Sequence, residues 1–309
     1  MLTKVIEQAK IDHFSKWFER ADKIVIVSHV SPDGDAIGSS LGLYHFLDSQ
    51  EKTVNVIVPN AFPDFLRWMP GSKDILLYAN YWFTKGGHNE ADYAEQARAV
   101  KAAGFTGLKF DPFAHTNYFY GEDLASNLTL TPAQQDLAFN VSKAVREAVG
   151  PEVDIMIETH AMLNYRIAVK MAERLATLDI AWYEEPAGPE SSQTLRAMRE
   201  RIPSDVAICV GERHYTRFGI RSLLEKHVCD IIMPDITRCG GPSEMKRMAT
   251  MAEAYQVLLA PHNPNGPLST LASSHVCASV PNFFRQEFMF NDVPWRDCLL
   301  YTSPSPRDM

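Results

Sequence analysis

The stretch Asp154-Ile-Met-Ile-Glu158-Thr-His160 decides the fold, because it has the pattern of a short buried strand that ends in a carboxylate and a histidine. The next run with a similar ending is Ala181-Trp-Tyr-Glu184, whose glutamate lies 26 residues after Glu158. The residues between these two runs have the apolar period of an amphipathic helix. A strand, a helix and a second strand of this size form the unit of a parallel α/β sheet.

The same unit recurs along most of the chain. Amphipathic helices, for example at residues 90–103 and 132–149, and an aromatic-rich loop at residues 110–132 separate the apolar runs. Eight strands with intervening helices over about 210 residues predict a (β/α) barrel. The predicted strands lie at residues 78–82, 107–110, 154–158, 181–184, 207–211, 231–233, 257–260 and 284–287.

The first 77 residues have a different pattern. A helical period at residues 4–20 precedes a strand at 24–27, a helix at 36–48 and a strand at 54–58. This order predicts a truncated parallel α/β fragment in front of the barrel. No segment rich in Gly, Ser or Pro separates it from the barrel, although natural domain boundaries usually have one. We therefore hypothesise a chimeric reading frame with domains at 1–77 and 78–297 and a non-native, disordered tail at 298–309.

Composition excludes several classes of protein. The chain is 46% hydrophobic and 22% charged with a formal net charge of -8, and it has no Lys/Arg cluster, which argues against a nucleic-acid partner. No apolar run approaches the ~18 residues of a membrane span. Five scattered cysteines and the lack of a signal-peptide pattern predict free thiols in a cytoplasmic protein. A homo-oligomer is left open.

Polar residues recur once per unit at the predicted strand ends. In a (β/α) barrel these ends meet at one rim, so the side chains should converge. Three of them are glutamates from successive strands, and carboxylate oxygens are the ligands that Mg²⁺ prefers. Such an ion would act as a Lewis acid on a substrate carboxylate and acidify the adjacent carbon. The residues in register are Glu158, Glu184, Glu212, Asp235, His262 and Glu287.

The chemistry also needs groups that move protons. His262 follows a strand next to the one that ends at Asp235, which favours a carboxylate–histidine pair acting as a general base. His160 lies two residues after Glu158, on the same side of an extended segment, and suits a general acid or a second base. Lys109, at the end of the second barrel strand, could neutralise developing negative charge.

These motifs together carry a family resemblance. Residues 78–297 resemble the mandelate racemase/galactonate dehydratase branch of the enolase superfamily. The segments that resemble it are 108–113, 157–160, 182–186, 211–213, 234–236 with Gly240-Gly241, and 260–263.

The resemblance implies a site and a set of roles. It implies Mg²⁺ on Glu158, Glu184 and Glu212, with the first glutamate of Glu184-Glu185-Pro186 as the ligand. It also implies that His262, paired with Asp235, and His160 act from opposite faces of a substrate. Glu287 would then hydrogen-bond the substrate carboxylate.

One departure favours dehydration over racemisation. Racemases of this branch have a Lys-x-Lys motif at the second strand. This chain has Asp111 in place of the second lysine. The Glu-x-His motif ending at His160 instead resembles the acid-sugar dehydratases. The predicted activity is therefore an aldonate dehydratase, a carbon–oxygen lyase that acts on a small sugar acid. Members of the family also share a capping domain, and no such domain is recognisable in this sequence. An inactive chimera is therefore an alternative.

The first fragment offers a second alternative. Residues 27–40, which include His29, Asp33 and Asp35, resemble the first motif of DHH-family phosphoesterases. That resemblance implies Mn²⁺ and an oligoribonuclease-like or phosphatase-like activity. The downstream Asp-His-His motif of that family is missing, so the metal motif is incomplete and no phosphoesterase activity is expected. Residues 298–309 resemble a translated sequencing adapter.

Overall fold

The computed structural model describes residues 16–27, 34–57, 77–85, 87, 89–114, 129–277 and 279–290. The side chains of residues 34–38, 57 and 85 are outside that description. Most of the first predicted helix, the long loop after the second barrel strand and the predicted tail also lie outside it. In the described part of the chain, no helix is long and apolar enough to cross a membrane.

The N-terminal fragment is a small parallel unit. Strand β1 (Lys23–Val27) pairs with β2 (Thr53–Ile57), and helix α1 (Gly34–Asp48) connects them. Its own apolar cluster contains Ile26 and Leu41. The prediction of two parallel strands with a helix between them is confirmed.

An eight-stranded parallel sheet forms the rest of the described structure. The strand at residues 286–289 pairs with the one at residues 77–80, and each strand from that one to the one at residues 231–232 pairs with the next along the chain. At the far end, the Leu259 N–H donates to the Asn282 carbonyl at 2.8 Å and the Phe284 N–H donates to the Leu259 carbonyl at 2.9 Å. The sheet therefore curls back on itself, which confirms the predicted (β/α) barrel class. Its strands are β3 (Leu77–Asn80), β4 (Gly107–Phe110), β5 (Asp154–Glu158), β6 (Trp182–Glu184), β7 (Ile208–Val210), β8 (Ile231–Ile232), β9 (Leu258–Leu259) and β10 (Gln286–Met289).

Local signals in the sequence start the helices between these strands. The side chain of Asn89 accepts from the Asp92 N–H at 3.0 Å, and Thr131 forms a reciprocal capping box with Gln134. Such caps satisfy backbone N–H groups that have no partner within the helix. The helices are α2 (Glu90–Ala102), α3 (Pro132–Val149), α4 (Tyr165–Ala176), α5 (Ser192–Arg199), α6 (Thr216–Glu225), α7 (Pro242–Glu253) and α8 (Pro267–Cys277).

The first barrel strand is shorter than predicted. The expected strand at residues 78–82 begins at Leu77 and ends at Asn80, because Tyr81 adopts a left-handed φ of 69°. A 3₁₀ turn at Trp82–Lys85 follows, and the Trp82 indole N–H donates to the Lys109 carbonyl at 2.8 Å.

Two apolar layers flank the sheet. Alternate residues such as Ile155 and Ile157 face the helices and belong to the main core. Residues of the other parity fill the inside of the curl, among them Tyr78, Met156 and Trp182. Because side chains alternate along a strand, the inward-facing parity also determines which polar side chains reach the inside at the strand ends.

Candidate metal centre and active site

Inward parity brings the predicted metal ligands together. Glu158 lies two residues after Met156, and Glu184 lies two residues after Trp182, so both carboxylates continue the inward-facing rows. Glu212 follows β7 just after Gly211, whose φ of 134° is in the left-handed half of the map. A Cβ on Gly211 would lie 3.1 Å from the Met233 backbone nitrogen, so this turn requires glycine.

The three glutamates form one buried cluster. One ligand atom from each of Glu158, Glu184 and Glu212 lies within 4.8 Å of the others. Their residues are 2%, 0% and 7% exposed. Three carboxylates this close and this buried repel one another unless positive charge lies among them. An all-oxygen donor set of this kind fits a hard divalent cation, so the cluster could hold a metal ion.

Lys109 supplies positive charge to this cluster. Its ammonium contacts Glu184, lies 3.3 Å from Glu158 Oε2 and lies 2.9 Å from Glu287 Oε1. Burial opposes its charge, but Glu184 and Glu287 outweigh that effect and raise the pKa of Lys109 well above its usual range. We conclude that Lys109 is a buried ammonium bound by three carboxylates.

The structure separates the two adjacent glutamates of the Glu-Glu-Pro motif. Glu184 faces the cluster, while Glu185 turns away through a left-handed φ of 45°. Its carboxylate accepts from the Gly211 N–H at 2.8 Å and from Arg213 Nη2 at 2.6 Å. Glu185 therefore braces the loop that carries Glu212, whereas Glu184 belongs to the cluster.

His262 and Asp235 form a close pair. His262 Nδ1 lies 2.9 Å from Asp235 Oδ2, and Nε2 lies 3.1 Å from Glu212 Oε2. The Asp235 carboxylate also accepts from the side chains of Thr237 and Asn265. Burial opposes charge on Asp235, yet hydrogen bonds from His262 and Thr237 lower its pKa to about 2. Burial also opposes the imidazolium, but Glu287 and Asp235 raise the pKa of His262.

His160 forms a second pair that the sequence analysis did not foresee. Its Nδ1 lies 2.9 Å from Asp111 Oδ2, and its backbone N–H donates to Glu158 Oε1 at 2.6 Å. Burial opposes charge on the imidazole, but Glu158 and Asp111 outweigh it and raise the pKa of His160 to about 9. His160 and Ala161 adopt left-handed φ values of 48° and 57°, a strained backbone that is typical of functional sites.

Glu287 is held by several donors. Oε1 accepts from Asn80 Nδ2 at 2.6 Å as well as from Lys109, and Oε2 accepts from the Asn263 N–H at 2.5 Å. Burial opposes its ionised form, but Lys109 and His262 lower the pKa of Glu287. An ionised carboxylate accepts hydrogen bonds and donates none.

The structure thus gathers eight of the predicted site residues around one cluster. They are Glu158, Glu184, Glu212, Lys109, His160, Asp235, His262 and Glu287. Three others belong to the N-terminal motif. His29 and Asp33 lie outside the described residues, and only the backbone of Asp35 is described, within α1.

Two buried neighbours of the cluster carry parity signals that could have revealed them. Asp111 is two residues after Lys109, so it continues the same inward row. Trp182 is two residues before Glu184, and its indole N–H donates to Glu184 Oε2 at 2.7 Å. Asn80, at the end of β3, contacts Glu287, but a single asparagine at a strand end carries no specific signal.

Comparisons with known proteins identify relatives of this chain. The chain is 30% identical over 230 residues to the D-xylonate dehydratase of Haloferax volcanii. The aligned region covers 74% of this chain and 54% of that protein. It is 32% identical to the D-gluconate dehydratase of Thermoproteus tenax, over 73% of this chain and 43% of the relative. The chain therefore spans about half the length of these curated relatives.

A solved structure is also similar to this chain. The crystal structure of a putative dehydratase from Mesorhizobium loti is 33% identical, with a TM-score of 0.64 over 69% of this chain and 55% of that one. Residues 92–309 match the family described as "Enolase C-terminal domain-like". This match extends over more than half of the chain and includes Glu158, Glu184 and His262. The chain belongs to the enolase C-terminal domain-like family, within the enolase superfamily.

Proposed function

We propose that this chain is a Mg²⁺-dependent dehydratase of sugar acids, specifically of aldonates. The observation that carries the proposal is the buried cluster of Glu158, Glu184 and Glu212, with one histidine–aspartate pair on each side. The named activities of the relatives support the substrate class. When bound, Mg²⁺ would polarise the substrate carboxylate and so acidify the adjacent carbon.

Proton removal is the role we propose for His262. Asp235 accepts from Nδ1 and fixes the tautomer, so Nε2 is the nitrogen that would take the proton α to the substrate carboxylate. Nε2 contacts Glu212, which puts the base next to a proposed metal ligand. A general base of this kind contributes about 10²–10⁴-fold to the rate.

Departure of the β-hydroxyl is the step we propose for His160. The hydroxyl would leave as water with a proton from the imidazole, and the resulting enol would tautomerise to a 2-keto-3-deoxy acid. The Asp111 carboxylate, 2.9 Å from Nδ1, favours the protonated imidazole that an acid requires. Asp111, which stands in place of the second lysine expected of a racemase, supports His160 instead. This contact favours elimination over racemisation.

Lys109 and Glu287 would act on the substrate carboxylate as a pair. The resemblance predicts a hydrogen bond from Glu287 to that carboxylate, but an ionised Glu287 has no proton to donate. We propose that Lys109 makes the contact and that Glu287 holds Lys109 in position at 2.9 Å.

The test is a 2-keto acid assay on the purified chain with a panel of aldonates. Product is expected with MgCl₂ and none with EDTA. Glu184→Gln should abolish both Mg²⁺ binding and activity. Glu244→Gln is the matched control, because its carboxylate, on α7, binds Arg217 and Arg247 instead of facing the cluster. Equal losses in the two variants would contradict the proposed ligand set.

The inert alternative has its own outcome in the same assay. Mg²⁺ binding without product from any aldonate would support an inactive chain in which residues 1–77 stand in front of the barrel. Among the described residues, β1 and β2 contribute no member of the glutamate cluster. No described contact favours the Mn²⁺ phosphoesterase, so we do not propose it.

A further inference from the structure

We propose that Trp182 is a positioning residue for the metal site, because its indole N–H holds the carboxylate of Glu184 in the orientation that binds the cation. The inference rests on the proposed function, since it takes Glu184 as a metal ligand. Trp182 is fully buried on β6, inside the curled sheet and directly below the glutamate cluster.

The contact between the two residues is specific. Trp182 Nε1 lies 2.7 Å from Glu184 Oε2, while Lys109 contacts the other oxygen, Oε1. Each oxygen of the carboxylate therefore has its own donor, with Trp182 below it on β6 and Lys109 beside it on β4. With one oxygen fixed by the indole, the carboxylate plane cannot rotate freely about its terminal bond.

The indole itself is held by aromatic packing. Its ring makes edge contacts with Tyr78 at 5.1 Å and with Phe284 at 6.1 Å between centroids. The buried Tyr78 hydroxyl has no hydrogen-bond partner in the described part of the chain. The direction of the indole N–H is thus determined by packing below the site.

Ordering a ligand in advance should strengthen metal binding. Groups that hydrogen-bond a ligating side chain orient it, and losing one typically weakens metal affinity by about 10–100-fold. Indole has a single donor and cannot itself ligate a hard cation through that N–H, so Trp182 acts only through Glu184.

The chain contains a matched control. Trp82 is also buried, and its indole N–H also makes one hydrogen bond, at 2.8 Å to the Lys109 backbone carbonyl. Trp82→Phe and Trp182→Phe therefore remove the same group from two buried sites. Of these two hydrogen bonds, only that of Trp182 reaches a proposed metal ligand.

The experiment measures MgCl₂ affinity of the full chain by titration calorimetry, with melting temperature as the measure of folding. We expect Trp182→Phe to weaken Mg²⁺ binding about 10–100-fold. Trp82→Phe should change it less than about threefold, at a similar cost in melting temperature. Equal Mg²⁺ affinity in wild type and Trp182→Phe would overturn the inference.

A second measurement covers the case in which Trp182→Phe does not fold. Indole N–H signals of the ¹⁵N-labelled wild type are recorded with and without MgCl₂. Phe variants of the four other tryptophans each remove one signal, which leaves the Trp182 signal by elimination and gives that of Trp82 as the control. The Trp182 signal should shift at saturating Mg²⁺, and its failure to shift would overturn the inference. If the wild type binds no Mg²⁺, the proposed function fails first, and the inference fails with it.

Discussion

Two histidine–aspartate pairs stand on opposite sides of the glutamate cluster, and they differ in ways that assign them different tasks. In each pair the aspartate follows one strand and the histidine follows the next, with Nδ1 and Oδ2 2.9 Å apart. Asp111 and His160 follow β4 and β5, while Asp235 and His262 follow β8 and β9. The pairs are four strands apart in an eight-stranded sheet.

The pairs differ in their surroundings. The side chain of His262 is 10% exposed and its second nitrogen contacts Glu212, whereas the side chain of His160 is 32% exposed. Burial raises the pKa of Asp111, while hydrogen bonds lower the pKa of Asp235 to about 2. Equal pair geometry thus does not mean equal chemistry. What surrounds the pair determines whether it suits a base beside the metal or an acid nearer the solvent.

The largest expected effect comes from the buried pair. His262→Asn should lower dehydration by about 10³-fold or more, because it removes the base that takes the α proton. Exchange of that proton with deuterium oxide should disappear as well, as followed by NMR of the aldonate. Retained exchange in this variant would show that another group removes the proton.

The Asp111–His160 pair should separate the two steps. His160→Asn should lower dehydration by about 10²–10⁴-fold while α-proton exchange continues, since the base is intact and only the acid is missing. Both rates are measured on the same sample. A joint loss of exchange and dehydration would instead make His160 part of proton removal.

A smaller effect is expected at the aspartates. Asp111→Asn should lower kcat for dehydration about 10–100-fold with α-proton exchange near the wild-type rate, because His160 loses the carboxylate that orients it and favours its protonated form. Asp235→Asn is the matched variant and should lower both rates. If the two variants gave the same pattern, the pairs would share one function.

The smallest effect concerns stability in the presence of EDTA. The folded-state pKa of His160 is about 9, above the ordinary value near 6.5. The contribution of His160 to the free energy of unfolding is therefore complete below pH 6.5 and is lost as pH rises through 9. The free energy of unfolding, measured with urea, should be lower at pH 9 than at pH 7. This decrease should be smaller in His160→Gln than in the wild type. His275→Gln, an exposed change in α8, should leave the decrease unaltered.

Much of the fold follows from local patterns. The apolar runs before Glu158 and Glu184 predicted the strands, and their spacing predicted a repeated unit and hence the barrel. The same register predicted that carboxylates would meet at one rim. Strand ends were less predictable. The end of β3 depends on Tyr81, whose left-handed backbone leads into the turn in which Trp82 donates to the Lys109 carbonyl.

The sequence by itself determined the order of strands and helices, and it determined that Glu158 and Glu184 face inward, because side-chain alternation is local to each strand. Tertiary structure alone decided the partners. Asp111 meets His160 across 49 positions of chain, and Trp182 and Lys109 divide the two oxygens of Glu184. Such contacts depend on how neighbouring strands align and on backbone conformations, such as those at His160 and Glu185, that only the surrounding packing can maintain.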